Sequence, residues 1–494
     1  MEDFKNLVIF EMANNHQGSL DHALNIIDVY SKIVKDNNIN AAIKLQFRNI
    51  STFISKIQLK EKTNKHIDRF LDTELTQKQF SIICKKIKDS GMKLIITPFD
   101  EVSVDNALKQ NVDIIKIASC SADDWPLIEK IAKTKKSVIA STGGQDIKAI
   151  DKIQRFLEHR EINFALMHCV SLYPALPKEA NVGFIKRLKS RYPNTIIGYS
   201  GHEAPSDLMT IVCAIGCGAV LFERHIGLPT NQITLNKYSM DPEETKKWID
   251  VIKNAQSICM GETDKNMTKT ELTSIQELAR GTFCKINIKK GQKINDKDVY
   301  FAFPLENQQL SSGKFLAGII AEKDYLKDDA ITQKVETKQA NIIREHVHSY
   351  KGMFEEASIA VGKYESMELS HHYGLENLAE TGVILITIIN DIYCKKLVGL
   401  LKGQKHPTHR HYKKDETFHV LQGKVIVVRN DVKHILNKGD KIDIRAGDWH
   451  SFESKEGAIF EEVSTTSIVG DSEYKDIKIN NLDPYERKSQ IYKW

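Results

Sequence analysis

Over the first 225 residues, short β-branched apolar runs alternate with amphipathic stretches. The runs are LVIFEMA from Leu7, AAIKLQF from Ala41, LIITPF from Leu94, IIKIAS from Ile114, VIASTG from Val138, FALMHC from Phe164, TIIGYS from Thr195 and VLFERH from Val220. Between them, Leu20 to Val34, Thr76 to Ile87, Ser103 to Leu108, Leu127 to Ala132 and Ser206 to Ala214 carry apolar residues at three- and four-residue spacings, the period of a helix packed on one face. Eight strands alternating with helices over about 250 residues predict an α/β fold, a (β/α)₈ barrel. Residues 48 to 75 lack clear periodicity, and so long a connection is expected beside the active site. Asp241, Pro242, Glu243 and Glu244 read as the N-cap and acidic first turn of a closing helix.

The pattern then changes. ARGTFCKINIKKGQKINDKDVYFAFP holds two strand-like runs around a Lys-Lys-Gly-Gln turn, the mark of a small β module. From about Ile342 the pattern reads as mostly β (GVILITII, KLVGLL, TFHVLQGKVIVV, DKIDI, AIFEEVS), broken by Gly, Asn and Asp turns, and predicts a small β-barrel. The expected domains are residues 1–268, 275–336 and 342–494, in keeping with roughly three units for a chain of 494 residues.

The net charge, 70 − 65 = +5, is interleaved rather than gathered, which gives no reason to expect a nucleic-acid surface. The longest apolar stretch, Thr210 to Phe222, is broken by Gly216 and Gly218 and is too short for a membrane span, and no basic leader opens the chain, so a cytoplasmic protein is expected. Eight scattered cysteines without a Cys-x-x-Cys read as reduced core residues.

An active site in such a barrel lies at the C-terminal strand ends. Those ends carry Glu11; Lys44 and Gln46; Thr97; Lys116 and Ser119; Ser141 and Thr142; His168, leading to Ser171 and Tyr173; Ser200 and His202; and Glu223 and His225. Lysines inside apolar strands are costly unless partnered, and two of them point either to an anionic ligand such as a phosphate or carboxylate, or to structural salt bridges. His202 and His225, on adjacent strand ends, could share one ion with open positions, or could simply be hydrogen bonded. Glu11 is placed as a metal neighbour or acid/base.

FEMANNHQGSL, IKLQF, ITPF, IKIAS, ASTGG, MHCVSLYP, IGYSGHE, FERH and YSMDPEE, in that order, resemble the sialic acid synthase (N-acetylneuraminate synthase) family across the whole barrel. ARGTFCKINIKKGQKIN resembles the antifreeze-like (SAF) domain, a β-clip fold, that follows it there. The resemblance implies condensation of phosphoenolpyruvate with an N-acetylated amino sugar such as N-acetylmannosamine, giving a nine-carbon 2-keto acid and phosphate. It implies that His202 and His225 bind Mn²⁺ or Mg²⁺, that Lys44, Thr97, Lys116, Ser119, Ser141 and Ser200 hold phosphoenolpyruvate, and that Glu11 and Tyr173 stand near the reacting sugar; Gln46, Ser171 and Asn236 are expected to bind substrate. It also implies a homodimer whose SAF domain reaches the partner barrel. The chain departs from the family on the sugar side: Ser121 replaces a glutamate, Ser171 an asparagine, Asn236 and Lys237 an acid, and Phe303-Pro304 an Arg-Pro-Gly turn.

His409-x-His411-x₄-Glu416-x₆-Gly423 and Gly439-x₅-Arg445-x-Gly447-x₂-His450 resemble the two motifs of the cupin family. Alternate residues on a strand share a face, so His409 and His411 point together, and Glu416 and His450 can complete a set for a divalent transition metal. Against the synthase stand a Schiff-base aldolase using Lys44 or Lys116 and a non-catalytic sugar-binding protein.

Overall fold

The structure is a computed structural model describing residues 3–261, 265–335, 339–362, 365–483 and 485–492. The domain limits expected at residues 1, 336 and 494 lie outside these. The chain divides into two compact units, Met1–Asn266 and Met267–Trp494.

The first unit is the expected closed barrel, with eight parallel strands in sequential order: β1 (Leu7–Glu11), β2 (Ala41–Phe47), β3 (Lys93–Pro98), β4 (Ile114–Ile117), β5 (Ser137–Ser141), β6 (Phe164–Cys169), β7 (Ile196–Gly201) and β8 (Leu221–His225). Alternation along each strand sends one set of apolar side chains into the lumen, where Leu7, Ile9, Ala42, Ile95, Ile114, Ile139, Ala165 and Leu221 pack together. The other set meets the helices. The closing helix Pro242–Cys259 starts on the expected N-cap, Asp241, which forms a capping box with Glu244.

Several expectations change. Residues 48 to 75 are not irregular: they form three short helices, Ile50–Phe53, Lys56–Glu61 and Ile67–Asp72. Four cysteines are buried, but Cys120, Cys213 and Cys259 are exposed and Cys217 is half-buried, so they are not all core residues. No helix among the described residues is long and apolar enough to cross a membrane.

In the second unit, Gly281–Cys284 pairs with Val299–Ala302 and Lys293–Ile294 with Ile319–Ile320, both antiparallel, over a core of Cys284, Ile288, Ile294, Val299 and Ile331. The stretch after it, read as β from about Ile342, is instead a helix, Gln339–Glu356. Its apolar residues Ile343, Val347, Tyr350 and Phe354 recur at helical spacing and pack against the strands beyond. Those strands form an eleven-stranded sheet whose named pairs are antiparallel, with Phe418, Val420, Val425, Val427, Phe452 and Phe460 inside. This is the C-terminal half-barrel of the expected all-β domain.

Candidate active site

At the C-terminal end of the barrel, the apolar lumen gives way to a row of charges. Parallel register sets Glu11 beside both Lys44 and His225, and Ser200 beside Glu223. Lys44 Nζ is 2.7 Å from Glu223 Oε1 and touches Glu11 Oε2, while Lys116 Nζ is 2.7 Å from Glu223 Oε2. Ser200 Oγ donates to Glu223 Oε1 at 3.0 Å. All five side chains are buried. The buried lysines are therefore paired, and the carboxylate between them, Glu223, belongs to the site although the sequence reading gave it no role.

Burial is the largest influence on Lys44 and brings it down to about 7, against Glu223, which favours its charge, and with Lys116, which opposes it. Burial also works against the Glu223 carboxylate, but Lys116 and Lys44 outweigh it and hold that group well below the ordinary carboxylate range. Each ammonium has three donors. Lys44 spends two on carboxylates, and Lys116 spends one on Glu223 and one against Met167 Sδ at 3.1 Å. One donor remains on each. Thr97 Oγ1 is buried and without a hydrogen-bond partner. Gln46 donates to Glu11 Oε1 at 3.4 Å and accepts from Arg48 at 2.6 Å; the Arg48 guanidinium lies between the Phe99 and Phe70 rings. This ties the β2 connection to the charge row, as expected of it.

His202 and His225 do come together, with ring centroids 5.5 Å apart. His202 Nδ1 lies 2.8 Å from the Val170 carbonyl, which can only accept, so Nδ1 carries the proton and Nε2 offers a lone pair. Burial lowers His202 to about 4, and burial together with His202 and Lys44 places His225 well below its ordinary value. Both imidazoles are neutral, the form that binds a metal. Tyr173 and Tyr238 wall the pair, 4.3 Å from His202 and 5.0 Å from His225. Tyr238 was missed. Asn236 accepts from the Tyr238 amide at 3.1 Å, so it shapes the turn that carries this ring.

The remaining candidates gather at Gly143. Its amide donates to Ser119 Oγ at 3.1 Å, and a Cβ there would meet Ser171 Oγ at 2.4 Å and Cys169 Sγ at 2.9 Å. Ser141 is buried at the end of β5, beside Met167 in register.

In the second unit, His409, His411 and His450 place one ligand atom each within 4.8 Å of the others, the only such grouping of three or more among the described residues. The Nδ1 atoms of His409 and His450 each lie 3.1 Å from a backbone carbonyl, Pro407 and Asp448 respectively, which leaves both Nε2 atoms bare. His450 Nε2 and Glu416 Oε2 are 3.2 Å apart, buried and hydrogen-bonded to nothing, as atoms that aim at a common ion would be. The expected fourth ligand, however, is shared: the other oxygen of Glu416 is in contact with Lys414, which also pairs with Glu462 at 2.9 Å. His406 joins the interior as well, because a bulge between His406 and His409 restores its inward face despite the odd spacing. His372 meets it, Nε2 to Nε2, at 3.0 Å.

Residues 36–265 match the model of the NeuB family, and residues 396–463 match the model of the cupin domain. The chain is 32% identical over 309 residues to an uncharacterized protein of Methanocaldococcus jannaschii, covering 62% of this chain and 87% of that one. It is 28% identical over 337 residues to the N,N'-diacetyllegionaminic acid synthase of Campylobacter jejuni, covering 67% of this chain and 99% of the relative. The crystal structure of a spore coat polysaccharide biosynthesis protein E, described as putative, from Chromobacterium violaceum superposes with a TM-score of 0.63 at 37% identity, over 66% of this chain and 98% of that one.

Proposed function

Since the chain belongs to the NeuB family of nonulosonate synthases, we propose that it joins phosphoenolpyruvate to an N-acetylated amino sugar of the N-acetylmannosamine class, with water, releasing phosphate and a nine-carbon 2-keto acid. The observation that carries this reading is the row Lys44–Glu223–Lys116: two ammoniums fixed by one carboxylate, each with a donor to spare at the barrel mouth. Glu223 and Ser200 orient the lysines, whose free N–H groups and the unpartnered Thr97 hydroxyl receive the oxygens of the phosphate and carboxylate. Ser119, with Gly143, Ser141 and Ser171, lines the same mouth.

His202 and His225 would hold a divalent ion, Mn²⁺ or Mg²⁺, whose chemistry is Lewis-acid polarisation of a carbonyl oxygen. Tyr173 and Tyr238, edge to face with centroids 5.3 Å apart, give the sugar an aromatic wall beside the two histidines. In the reaction the enol carbon forms the new C–C bond to the sugar carbonyl carbon, whose oxygen takes up a proton. Water adds to the former enol C2, and C–O cleavage expels phosphate as the ketone forms. Glu11, which accepts the Ala13 amide at 2.7 Å and contacts Lys44, is the acid/base assigned to these proton movements. In the second unit, His409, His411 and His450 would hold a divalent transition metal, with Glu416 beside them. By analogy with the family, the active form is assigned as a homodimer.

Phosphate release from phosphoenolpyruvate, measured with N-acetylmannosamine, diacetamido-dideoxy sugars and mannose, tests the reading and identifies the acceptor. Release that needs no sugar, or none with any of the three, refutes it. One observation favours a second reading: a lysine brought down to about 7 is a nucleophile at neutral pH, as a Schiff-base aldolase requires. Borohydride trapping of pyruvate on Lys44 would establish that reading.

A further inference from the structure

The second unit buries an arginine without a counter-ion. Arg487 is 6% exposed, and its Nε and Nη1 have no hydrogen-bond partner; no carboxylate among the described residues pairs with it. The neighbouring charges, Lys488 and Glu368, pair with each other at 2.8 Å. The guanidinium carbon instead lies 5.0 Å from the centroid of the Tyr474 ring. A buried, uncompensated cation of this kind is seldom kept for stability, since an apolar residue of similar volume would do as well or better.

Two histidines beside it are also incomplete. The His371 and His372 amides donate to the Arg487 carbonyl at 2.9 and 3.3 Å, and the Nδ1 atoms of both rings are buried without partners. The protonation of His372 follows from its neighbours. His406 Nδ1 faces the Pro407 carbonyl at 3.1 Å and carries a proton, so His406 Nε2 accepts from His372 Nε2 at 3.0 Å, leaving His372 Nδ1 as a bare acceptor. His372 is also held at φ 38°, a left-handed conformation that non-glycine residues adopt at a cost. Four buried polar atoms on three adjoining residues thus lack partners.

The Tyr474 ring connects this group to the three-histidine centre, with centroids 5.1 Å from His372 and 5.4 Å from His409. His406, which His372 meets, also lines a cleft with Tyr373, Thr381 and Lys405.

We propose that Arg487 and His372 form a binding site, beside the three-histidine centre, for a small hydroxylated carboxylate, a sugar acid. The carboxylate takes the unpartnered guanidinium N–H groups, and a hydroxyl near it donates to His372 Nδ1. A plain oxyanion such as sulfate meets only half of this set, because it has no donor for the imidazole. The binding site stands on its own geometry; that its occupant is the acid made by the barrel rests on the synthase reading above.

The test is titration calorimetry on the full chain with N-acetylneuraminate, its methyl ester and inorganic sulfate. N-acetylneuraminate is expected to bind wild type and the barrel variant Lys116→Met alike. Arg487→Met is expected to weaken binding at least about tenfold, the ester to bind wild type equally poorly, and Arg487→Lys to bind between these limits. Arg487→Met without ligand should melt at or above the wild-type temperature. Binding unchanged in Arg487→Met, binding lost in Lys116→Met alone, equal binding of the ester or of sulfate, or a large fall in the melting temperature of Arg487→Met would each overturn the proposal. Failure of Arg487→Met to fold counts with a large fall in its melting temperature, and the ester and Arg487→Lys test the recognition independently. Because the measurement needs no turnover, its failure is distinct from failure of the phosphate-release assay.

Discussion

Glu223 offers one carboxylate oxygen to Lys44 and the other to Lys116, both at 2.7 Å, so a single buried acid on β8 fixes two buried cations from β2 and β4, two strands apart in the barrel. Removing one partner from a buried ion pair leaves an uncompensated charge and costs about 3–5 kcal/mol. Glu223→Gln leaves Lys116 without a counter-ion and Lys44 with Glu11 alone. It is expected to destabilise the barrel by that amount and to raise the KM for phosphoenolpyruvate. Denaturant unfolding and initial rates measure the two effects, and an unchanged unfolding midpoint contradicts the first.

Lys44 predicts a pH limb. Burial brings its ammonium down to about 7, so the charged, anion-binding form is complete below that pH and is lost as pH rises through it. The kcat/KM for phosphoenolpyruvate should therefore fall above about pH 7, approaching tenfold per unit. Lys44→Arg, ionised throughout the range, should flatten the limb even if it lowers the plateau. A wild-type profile without this descending limb would remove Lys44 from substrate binding.

Much of this centre was legible in the sequence because parallel strands buried on both faces read as continuous apolar runs, against which Lys44 and Lys116 stand out as anomalies. Glu223 was visible in FERH, but nothing local says that it faces two lysines. That relation depends on barrel closure, which brings β8 back beside β1. Helix Gln339–Glu356 was misread because the β-branched pair Ile342–Ile343 and the strand-rich stretch after it outweighed the spacing Ile343, Val347, Tyr350, Phe354. Likewise His406 has the wrong parity for the interior unless the bulge is known. Arg487 carries no motif: its isolation arises from contacts with residues more than a hundred positions earlier, such as His371 and His372.

Gly143 is a steric gauge of the mouth. A methyl group there would lie 2.4 Å from Ser171 Oγ and 2.7 Å from Ser119 Oγ, closer than real contacts allow, but both groups are side chains that can swing away. Gly143→Ala should therefore fold with nearly wild-type stability, while displaced hydroxyls raise the KM for substrate or lower kcat. A misplacement of about 1 Å can cost about a hundredfold in rate. Unchanged kinetics would show that Ser119 and Ser171 do not touch the reacting groups.

Metal content separates the two centres. In the barrel, the Val170 carbonyl fixes the proton of His202 on Nδ1 and leaves Nε2 free. In the second unit, the Pro407 and Asp448 carbonyls do the same for His409 and His450. Each set is prepared to bind an ion, so the metal-loaded chain should carry two, and elemental analysis should find one fewer in His225→Ala and one fewer in His409→Ala. The effects on activity should differ in kind. His225→Ala and chelation should both lower phosphate release, by about 10²–10³-fold for loss of an electrophilic stabiliser. The His409→Ala loss should show itself instead as a lower unfolding temperature for the second unit, because Glu416 Oε2 and His450 Nε2 would then remain buried with nothing to bind. If His225→Ala keeps both ions, the barrel histidines are only packed together, and catalysis there depends on the lysine row alone.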